Sequence, residues 1–439
     1  MSTFPIKQEI IDQFKEELGI KNIAYATIRQ IVGLVNKLEQ KYQVQFIRTE
    51  MGVPGLPANP IGPNAEIKAL NEGVASAYPP IEGIATLKNE LSKFASLFLN
   101  INISPEGCIP TVGSMQGAFV MFLVANRRDA NKTKTLFIDP GFPVQKRQLA
   151  VLGMPYESFD LYNYRGEKLK AKLEEFLQKG DISTILYSNP NNPSWVCFTE
   201  KELKIIGDMA NKYDVIILED LAYFGMDFRE NFGQPGRPPY QPTVAHYTTN
   251  YVLLFSGSKI FSYAGQRIGA LMISDALFHK RYPDLTRVFN TDRFGLTILQ
   301  EGLYTASAGT SHSAQFGFAA MLKAVNNGEM DFVSEIKTYG DRAKIMKQHF
   351  LNNGFHIVYN KDEDRDLADG FYFTIAYNNM KGDELLNNLI KFGISAITLD
   401  TTGSTRTEGL RICVSQTGEE RFDDLKERLQ LFKKAYPTI

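Results

Sequence analysis

The chain has 439 residues, of which 44% are hydrophobic and 22% are charged, and its formal net charge is -1. This balance is typical of a globular protein of two or three domains. The near-zero charge argues against nucleic acid or an anionic membrane as partner, and no apolar run approaches the roughly 20 residues that span a bilayer. Three widely separated cysteines and five histidines without ligand spacing predict neither a disulfide framework nor a metal site. The start, MSTFPIKQEI, lacks an apolar signal core, so we expect a cytoplasmic protein.

The first hundred residues predict helices around a loop that is rich in glycine and proline. The loop Met51–Pro63 cannot form a regular element, and we expect it to shape a site, with Gly52 as a candidate substrate contact. The predicted helices are residues 5–18, Tyr25–Gln40, Ile67–Ala75 and Ile84–Leu99, with one short strand at Val44–Ile47.

From about residue 107 to residue 273, apolar strands alternate with helices. The predicted strands are 134–138, 155–159, 182–187, 214–218, 251–255 and 267–273. The helices between them include Gly113–Asn126, Glu167–Gln178 and Thr199–Lys212. This alternation predicts a mostly parallel sheet covered on both faces, with right-handed crossovers.

After about residue 330 the pattern changes to that of a separate α+β unit. A long helix is predicted at Asp331–Asn352, and a second helix at Gly382–Lys391. The remaining elements are strands 355–358, 371–375 and 410–414 and a last helix from Glu419 to Tyr436.

The segment Phe255–Gly269, FSGSKIFSYAGQRIG, follows the apolar strand 251–255. Lys259 therefore lies just past the carboxyl end of a buried strand, where α/β proteins place reactive groups. A partly desolvated amine there can attack a carbonyl carbon. Ser256, Ser258 and Arg267 are donors that can hold a phosphate beside it. The alternative is a surface lysine in a turn.

Two Asn-Pro pairs occur in Ser188–Trp195, SNPNNPSW, directly after strand 182–187. They fix an extended turn at the end of a strand. The side-chain amide of an asparagine that is held there can donate to a phenolate oxygen. The alternative is a turn on the protein surface.

An acidic pair ends strand 214–218 in the segment LEDLAYF, Leu218–Phe224. Asp220 is either the N-cap of the next helix or a carboxylate that keeps a pyridine nitrogen protonated. Tyr223 is a possible hydrogen-bond donor three residues later.

Small residues open the first helix of the alternating region in Thr111–Gly117, TVGSMQG. Such a helix start exposes backbone N–H groups and favours a phosphate. The segment lacks the glycine patterns of dinucleotide-binding and Walker loops.

Phe142 stands between two prolines after strand 134–138, where its ring can stack on a planar group or join the core. Arg411 lies in the apolar strand 410–414. A guanidinium in such a strand needs a partner. That partner is a bound carboxylate, which arginine can bind bidentately, or an internal ion pair.

In their order along the chain, these motifs resemble the class I/II aminotransferase family of fold-type I pyridoxal-phosphate (PLP) enzymes. The resemblance covers roughly residues 45–425, and its most specific parts are 188–193, 218–223 and 256–269. It implies a three-layer α/β fold, with a mostly parallel sheet in a large domain and a smaller α+β domain. The large PLP-binding domain would span 64–330, and the small domain would combine 1–63 with 331–439.

The resemblance implies PLP as the cofactor, joined to Lys259 as a Schiff base. Asp220 would be the partner of the pyridine nitrogen, while Tyr223 and Asn192 would reach the phenolate oxygen. Phe142 would cover the ring. The phosphate would be held by Gly113, Ser114, Met115, Ser256 and Arg267.

For the substrate, the resemblance implies that Arg411 and Asn192 hold the α-carboxylate of an amino acid. The chain departs from the family motif where Ser194-Trp195 replaces Thr-Gly, which makes Trp195 a candidate substrate contact. Tyr78 resembles a tyrosine that reaches the cofactor phosphate of the neighbouring subunit, which implies a homodimer with shared sites.

The implied activity is a ping-pong transfer of an amino group from an L-amino acid to a 2-oxo acid, with Lys259, Asp220 and Tyr223 as catalytic residues. A C–S β-lyase or other PLP chemistry on the same fold, and a non-catalytic PLP-binding protein, stay open. A nucleotide-binding oxidoreductase lacks its glycine fingerprint here. One dicarboxylate-specific subgroup has an arginine in the segment that matches Leu303–Ala308; none occurs here, and Arg293 is an alternative.

Overall fold

The structure is a computed structural model that describes residues 4–437. Its strands are β1 (Ile47–Arg48), β2 (Cys108–Thr111), β3 (Lys134–Asp139), β4 (Tyr156–Asp160), β5 (Ile182–Ser188), β6 (Ile216–Asp220), β7 (Tyr251–Ser256), β8 (Gly269–Ile273), β9 (Phe355–Ile357), β10 (Lys361–Asp362), β11 (Arg365–Asp366), β12 (Tyr372–Tyr377), β13 (Ile394–Ser395), β14 (Ile397–Thr398) and β15 (Leu410–Cys413).

The α-helices are α1 (Gln8–Glu17), α2 (Ile28–Tyr42), α3 (Ile61–Asn71), α4 (Ala85–Phe94), α5 (Gly113–Ala125), α6 (Pro143–Val151), α7 (Lys168–Leu177), α8 (Glu200–Tyr213), α9 (Gly257–Ile260), α10 (Asp275–Phe278), α11 (Phe294–Leu296), α12 (Tyr304–Ser307), α13 (His312–Asn326), α14 (Phe332–Ile336), α15 (Thr338–Asn352), α16 (Gly382–Lys391) and α17 (Phe422–Ala435). No helix within residues 4–437 is both long and apolar enough to cross a membrane.

The large sheet has seven strands in the order β2-β8-β7-β6-β5-β3-β4. Neighbouring strands from β7 to β4 are parallel, and β8 is antiparallel to both β7 and β2. All residues of β5, β6 and β7 are buried, as expected for strands that helices cover on both faces. The predicted mostly parallel sheet is therefore confirmed. Because parallel strands share a direction, the carboxyl ends of β5, β6 and β7 lie at the same edge.

A second sheet, with the order β14-β15-β12-β9, is antiparallel throughout. The start of the chain joins this region. The strand β1 pairs in parallel with β13, and the backbone N–H of Ile6 donates to the carbonyl oxygen of Lys391 at 2.7 Å. The division into 64–330 and 1–63 plus 331–439 stays a prediction.

The helix predicted at Ile67–Ala75 instead begins at Ile61 and ends at Asn71, as α3. Pro63 is its third residue, inside the segment that we expected to be irregular. Proline is tolerated there because the first-turn N–H groups of a helix have no partner within the helix.

Two strands that are next to site residues in the sequence begin later than predicted. Helix α8 continues to Tyr213, and Asp214 ends it with a φ of 45°. Consequently β6 begins at Ile216, and Asp220 is its last residue rather than a residue after it. Arg267 has a φ of 52°, which is incompatible with a strand, so β8 begins only at Gly269.

Two predicted long helices are interrupted, and one strand was missed. Helix α4 ends at Phe94, and a π-helical turn from Ala95 to Leu99 follows it. The helix predicted at Asp331–Asn352 is divided into α14 and α15 at Lys337. The edge strand β2, CIPT, has no alternating pattern and contains a proline, which an edge strand tolerates.

Candidate active site

A cavity of about 650 Å³ opens at the carboxyl ends of β5, β6 and β7. Most of the residues that the sequence singled out line it, although they come from seven separate parts of the chain. They are Gly52, Ser114, Met115, Phe142, Asn192, Asp220, Tyr223, Ser256, Lys259, Arg267 and Arg411. A larger cavity of about 790 Å³, bordered by Asn189, Thr243 and Arg365, contains none of the candidates.

Lys259 lies on the single-turn helix α9, which follows β7 directly. Its Nζ donates to the carbonyl oxygen of Gly52 and lies 5.7 Å from the centre of the Phe371 ring. Burial lowers the pKa of Lys259 to about 8, and the nearby positive charges of Arg411 and Arg267 act in the same direction. About a tenth of this amine is therefore neutral at pH 7, far more than for an ordinary lysine, and the neutral form is the one that can react.

Asp220 ends β6 with its carboxylate against the cavity, and it is 7% exposed. One carboxylate oxygen accepts from Nε2 of Gln145 at 3.0 Å, and the other accepts from the backbone N–H of Ala222 at 3.1 Å. Burial raises the pKa of Asp220 to about 6, against the opposing effect of these two hydrogen bonds. The Ala222 contact is a local turn, so the N-cap alternative does not account for the buried carboxylate.

Tyr223 is 5% exposed and shares a hydrogen bond with Tyr372, whose hydroxyl oxygen lies 2.7 Å from its own. Burial raises the pKa of Tyr223 well above its usual value. Sequence reasoning missed Tyr372 and Gln145, which also line the cavity. Tyr372 precedes Arg411 by 39 positions, and no motif links the two residues in the sequence.

Arg411 lies in β15 and is 3% exposed. Its Nη1 donates to Oδ1 of Asn192 at 3.4 Å, its Nη2 donates to the carbonyl oxygen of Glu50, and its Nε has no partner in the described chain. The guanidinium carbon lies 4.7 Å from the centre of the Tyr372 ring. The neighbouring carboxylate of Glu50 pairs with Arg48 instead. Within residues 4–437 the guanidinium thus has no carboxylate partner, and it retains capacity for one in the cavity.

At the other end of the cavity, donors converge around the start of α5. Ser114 and Met115 are in its first turn, and Arg267, Ser256 and Ser258 lie nearby in the cavity wall. Gly113 has a φ of 67°, and a Cβ atom there would lie 2.6 Å from Nη2 of Arg267. Backbone N–H groups at a helix start, hydroxyls and a guanidinium are the donors that a phosphate requires.

Gly52 occupies a position that only glycine can fill. Its carbonyl oxygen accepts from Lys259, and a Cβ atom there would collide with the hydroxyl of Tyr372. The segment Met51–Pro63 therefore reaches the site as predicted, through a close backbone approach.

Trp195 lies behind the cavity wall instead of lining it, which corrects its expected position as a substrate contact. Trp195 is fully buried, has a backbone φ of 64° and does not belong to the cavity lining. The indole packs edge-on against Tyr223 and Tyr372, with ring centres at 5.5 Å and 6.0 Å. It also leaves no room for a side chain at Gly370. Trp195 therefore supports two residues of the wall.

Tyr78 is 92% exposed and lies apart from the cavity of its own chain. It borders a separate surface depression together with Pro79 and His312. Any contact of Tyr78 with an active site would therefore be with that of another subunit.

The family model for aminotransferase class I and II matches residues 61–429. A probable aspartate aminotransferase of Methanocaldococcus jannaschii is 22% identical over 422 residues, which are 95% of this chain and 98% of that protein. An S-alkyl-thiohydroximate lyase of Arabidopsis thaliana is 24% identical over 213 residues, 48% of this chain and 44% of that protein.

Among solved structures, an aspartate aminotransferase double mutant of Thermus thermophilus superposes with a TM-score of 0.73 at 15% identity. The match covers 93% of this chain and 96% of that one. It shows the fold-type I architecture. Together with the family match over most of the chain, it establishes that this protein belongs to the aminotransferase class I and II family and is a transaminase.

Proposed function

We propose that the protein moves an amino group from an L-amino acid to a 2-oxo acid with pyridoxal 5′-phosphate as its cofactor. The observation that carries this proposal is the single cavity that holds Lys259, Asp220 and Arg411. A reactive amine, a buried acid and a guanidinium without a carboxylate partner are the groups that this reaction needs.

The residues present fit the cofactor. Ser114, Ser256 and Arg267 would hold the phosphate at the start of α5, and Phe142 would cover the ring. Asp220 would pair with the pyridine nitrogen, whose positive charge would bring the pKa of this carboxyl back down. Asn192 and Tyr223 would donate to the phenolate oxygen. When bound, the cofactor supplies an electron-withdrawing ring that accepts negative charge from the substrate's α-carbon.

Arg411 would bind the substrate's α-carboxylate, with Asn192 beside it. This contact would hold the α-carbon within reach of Lys259. With its lowered pKa, the amine of Lys259 would take a proton from the α-carbon of the amino acid in the first half of the reaction. In the second half it would deliver a proton to the α-carbon of the incoming 2-oxo acid, which becomes the new amino acid.

The test is covalent labelling. Purified protein reconstituted with PLP is treated with borohydride, and the labelled peptide is mapped by mass spectrometry. We expect one label, on Lys259, and none in Lys259→Ala. A label on another lysine, or failure to bind PLP, would refute the proposal.

A second candidate, a C–S β-lyase, is kept because Trp195 stands at the end of the Asn-Pro loop and because a lyase is among the relatives. The products separate the two activities. Transamination yields one 2-oxo acid for each amino group taken up, whereas a β-lyase releases ammonia and pyruvate from an S-substituted cysteine without an amino acceptor.

We also propose a homodimer with shared active sites. The support is the resemblance of Tyr78 to a tyrosine that reaches the cofactor phosphate of the neighbouring subunit. In this chain Tyr78 is 92% exposed and does not line its own cavity, so it is free to reach a second subunit. Sedimentation should give a dimer at assay concentrations, and Tyr78→Phe should weaken PLP binding without separating the subunits. An active monomer would contradict this proposal.

A further inference from the structure

One cationic side chain of the cavity has no role in the proposed reaction. It is Arg29, in the first turn of α2, and with Ile28 and Val32 it forms the cavity wall that this helix contributes. Arg29 is exposed to solvent and is one of the residues that line the cavity. Among the residues that the structure describes, none forms a hydrogen bond or an ion pair with Arg29. Lys259, Arg267 and Arg411 each donate to at least one protein oxygen.

The backbone around Arg29 is well fixed. Thr27 caps α2, with its hydroxyl accepting from the backbone N–H of Gln30 at 3.2 Å, and the side chain of Gln30 accepts in return from the N–H of Thr27 at 3.0 Å. This reciprocal cap holds the first turn in place. The positive end of the helix dipole acts at the same location as the guanidinium and adds to its attraction for an anion.

Apolar side chains from α2, from the segment Met51–Pro63 and from α6 also line the cavity. They are Ile28, Val32, Met51, Val53 and Val144. Such a wall suits the methylene groups of a ligand and offers no hydrogen bond along its length. Of the cavity-lining side chains that α2 contributes, Arg29 is the one that can pair with a charged group of such a ligand.

The charges in the cavity lining are unequal. Four cationic side chains, Arg29, Lys259, Arg267 and Arg411, face one acidic side chain, Asp220. The cofactor phosphate would account for Arg267, and the substrate's α-carboxylate for Arg411. Arg293, the alternative that the sequence offered, does not line this cavity. Neither of these two anions accounts for Arg29.

We infer that Arg29 binds the anionic end of the substrate's side chain, and that the substrates are acidic amino acids with a carboxylate after one or more methylene groups. This inference rests on the proposed transaminase function and specifies its substrate class. Arg29 contacts the substrate away from the reacting atoms and determines specificity.

The test compares substrate pairs of equal shape that differ only in the terminal charge, glutamate with glutamine and aspartate with asparagine. We expect the wild type to prefer the acids. Because Arg29→Gln removes a charge-assisted pair that is exposed to solvent, it should lower kcat/KM for the preferred acid roughly 10-fold, a change of about 1.4 kcal/mol. The amides should change less than about 2-fold. Arg29→Lys should restore part of the preference. Arg237→Gln, an exposed arginine outside the cavity lining, is the matched control.

A binding measurement needs no turnover. Calorimetry with glutarate and butyrate compares a dicarboxylate with a monocarboxylate. Arg29→Gln should weaken the binding of glutarate and leave the binding of butyrate unchanged. Added salt should weaken the binding of glutarate only when Arg29 is present. Equal loss of both ligands, or unchanged acid-to-amide ratios in an active variant, would overturn the inference. If glutarate binding depends on Arg29 but no amino acid is converted, the anion site stands and the proposed function fails.

Discussion

The hydroxyl groups of Tyr223 and Tyr372 lie 2.7 Å apart in the wall of the cavity. Only one of the two can donate to the other, and the guanidinium of Arg411 lies over the ring of Tyr372, 4.7 Å from its centre. A cation at that ring makes the phenol a better donor. Tyr372 is therefore expected to donate to Tyr223, which leaves the proton of Tyr223 for an acceptor in the cavity.

This pairing predicts that Tyr372→Phe weakens Tyr223 as a donor, because its oxygen loses a buried partner. In a double-mutant cycle on kcat/KM with Tyr223→Phe, the two changes should be coupled by about 1 kcal/mol. Tyr282→Phe, in a separate core cluster, is the control. Additive effects of the two active-site changes would mean that the pair is only structural.

The lowered pKa of Lys259 predicts how PLP attaches to the cofactor-free protein. The neutral amine is the reactive form, and it becomes the major form as pH rises through about 8. The second-order rate of attachment, followed by absorbance, should rise between about pH 7 and pH 9 and then level off, once corrected for the titration of free PLP. A rate that still rises toward pH 10.5 would show that the lysine is not desolvated.

Asp220 should make the cofactor-free protein less stable as pH rises. Its folded pKa of about 6 is above the usual 3.8, so the folded state holds a proton that the unfolded state has lost between these values, and the free energy of unfolding falls over this range. Asp220→Asn removes this dependence.

Compared with the wild type, Asp220→Asn should therefore gain stability on the order of 2 kcal/mol between pH 4 and pH 7. If the free energies of unfolding of the two proteins changed with pH in the same way, the carboxyl of Asp220 would not be buried.

In the loaded enzyme, Asp220→Asn should slow proton transfer from the amino acid far more than it weakens PLP binding, because the ring would withdraw electrons less well. Stopped-flow half-reactions measure both quantities.

Arg411→Lys should weaken binding of the amino acid. A bidentate pair becomes a point contact, at a cost of about 1.5–3 kcal/mol, or roughly a 10- to 100-fold higher apparent dissociation constant. Amines without a carboxylate should be much less affected. Stopped-flow titration with both substrate types checks this, and unchanged amino-acid affinity would show that the guanidinium only stabilises the fold.

Trp195→Gly should destabilise the protein although glycine suits the φ of 64° at this position. Loss of a buried indole costs about 3–5 kcal/mol, and relief of the left-handed backbone returns about 1 kcal/mol. We expect a net loss of about 2–4 kcal/mol in the free energy of unfolding, measured with denaturant. Trp195→Phe should lose less, and a glycine variant as stable as the wild type would show that the indole packing contributes little.

The sequence alone predicted the alternating α/β architecture and most residues of the candidate site. Buried parallel strands need long apolar runs, and the groups at their carboxyl ends follow those runs directly in sequence. Lys259, Asp220 and Asn192 could therefore be located from local patterns, with an error of two residues in the bounds of β6.

Tertiary structure decided what local patterns do not encode. Tyr372, Gln145 and Arg29 reach the cavity from elements that are distant in sequence, and no spacing rule relates those elements to Lys259. The burial of Trp195 depends on its packing against Tyr223 and Tyr372 and on the space that Gly370 leaves. The partners of Arg411 depend on how β15 packs against the segment that contains Glu50. The sequence determined which chemical groups are available, and packing between distant segments determined which of them meet, because contacts across hundreds of residues leave no periodic trace in the chain.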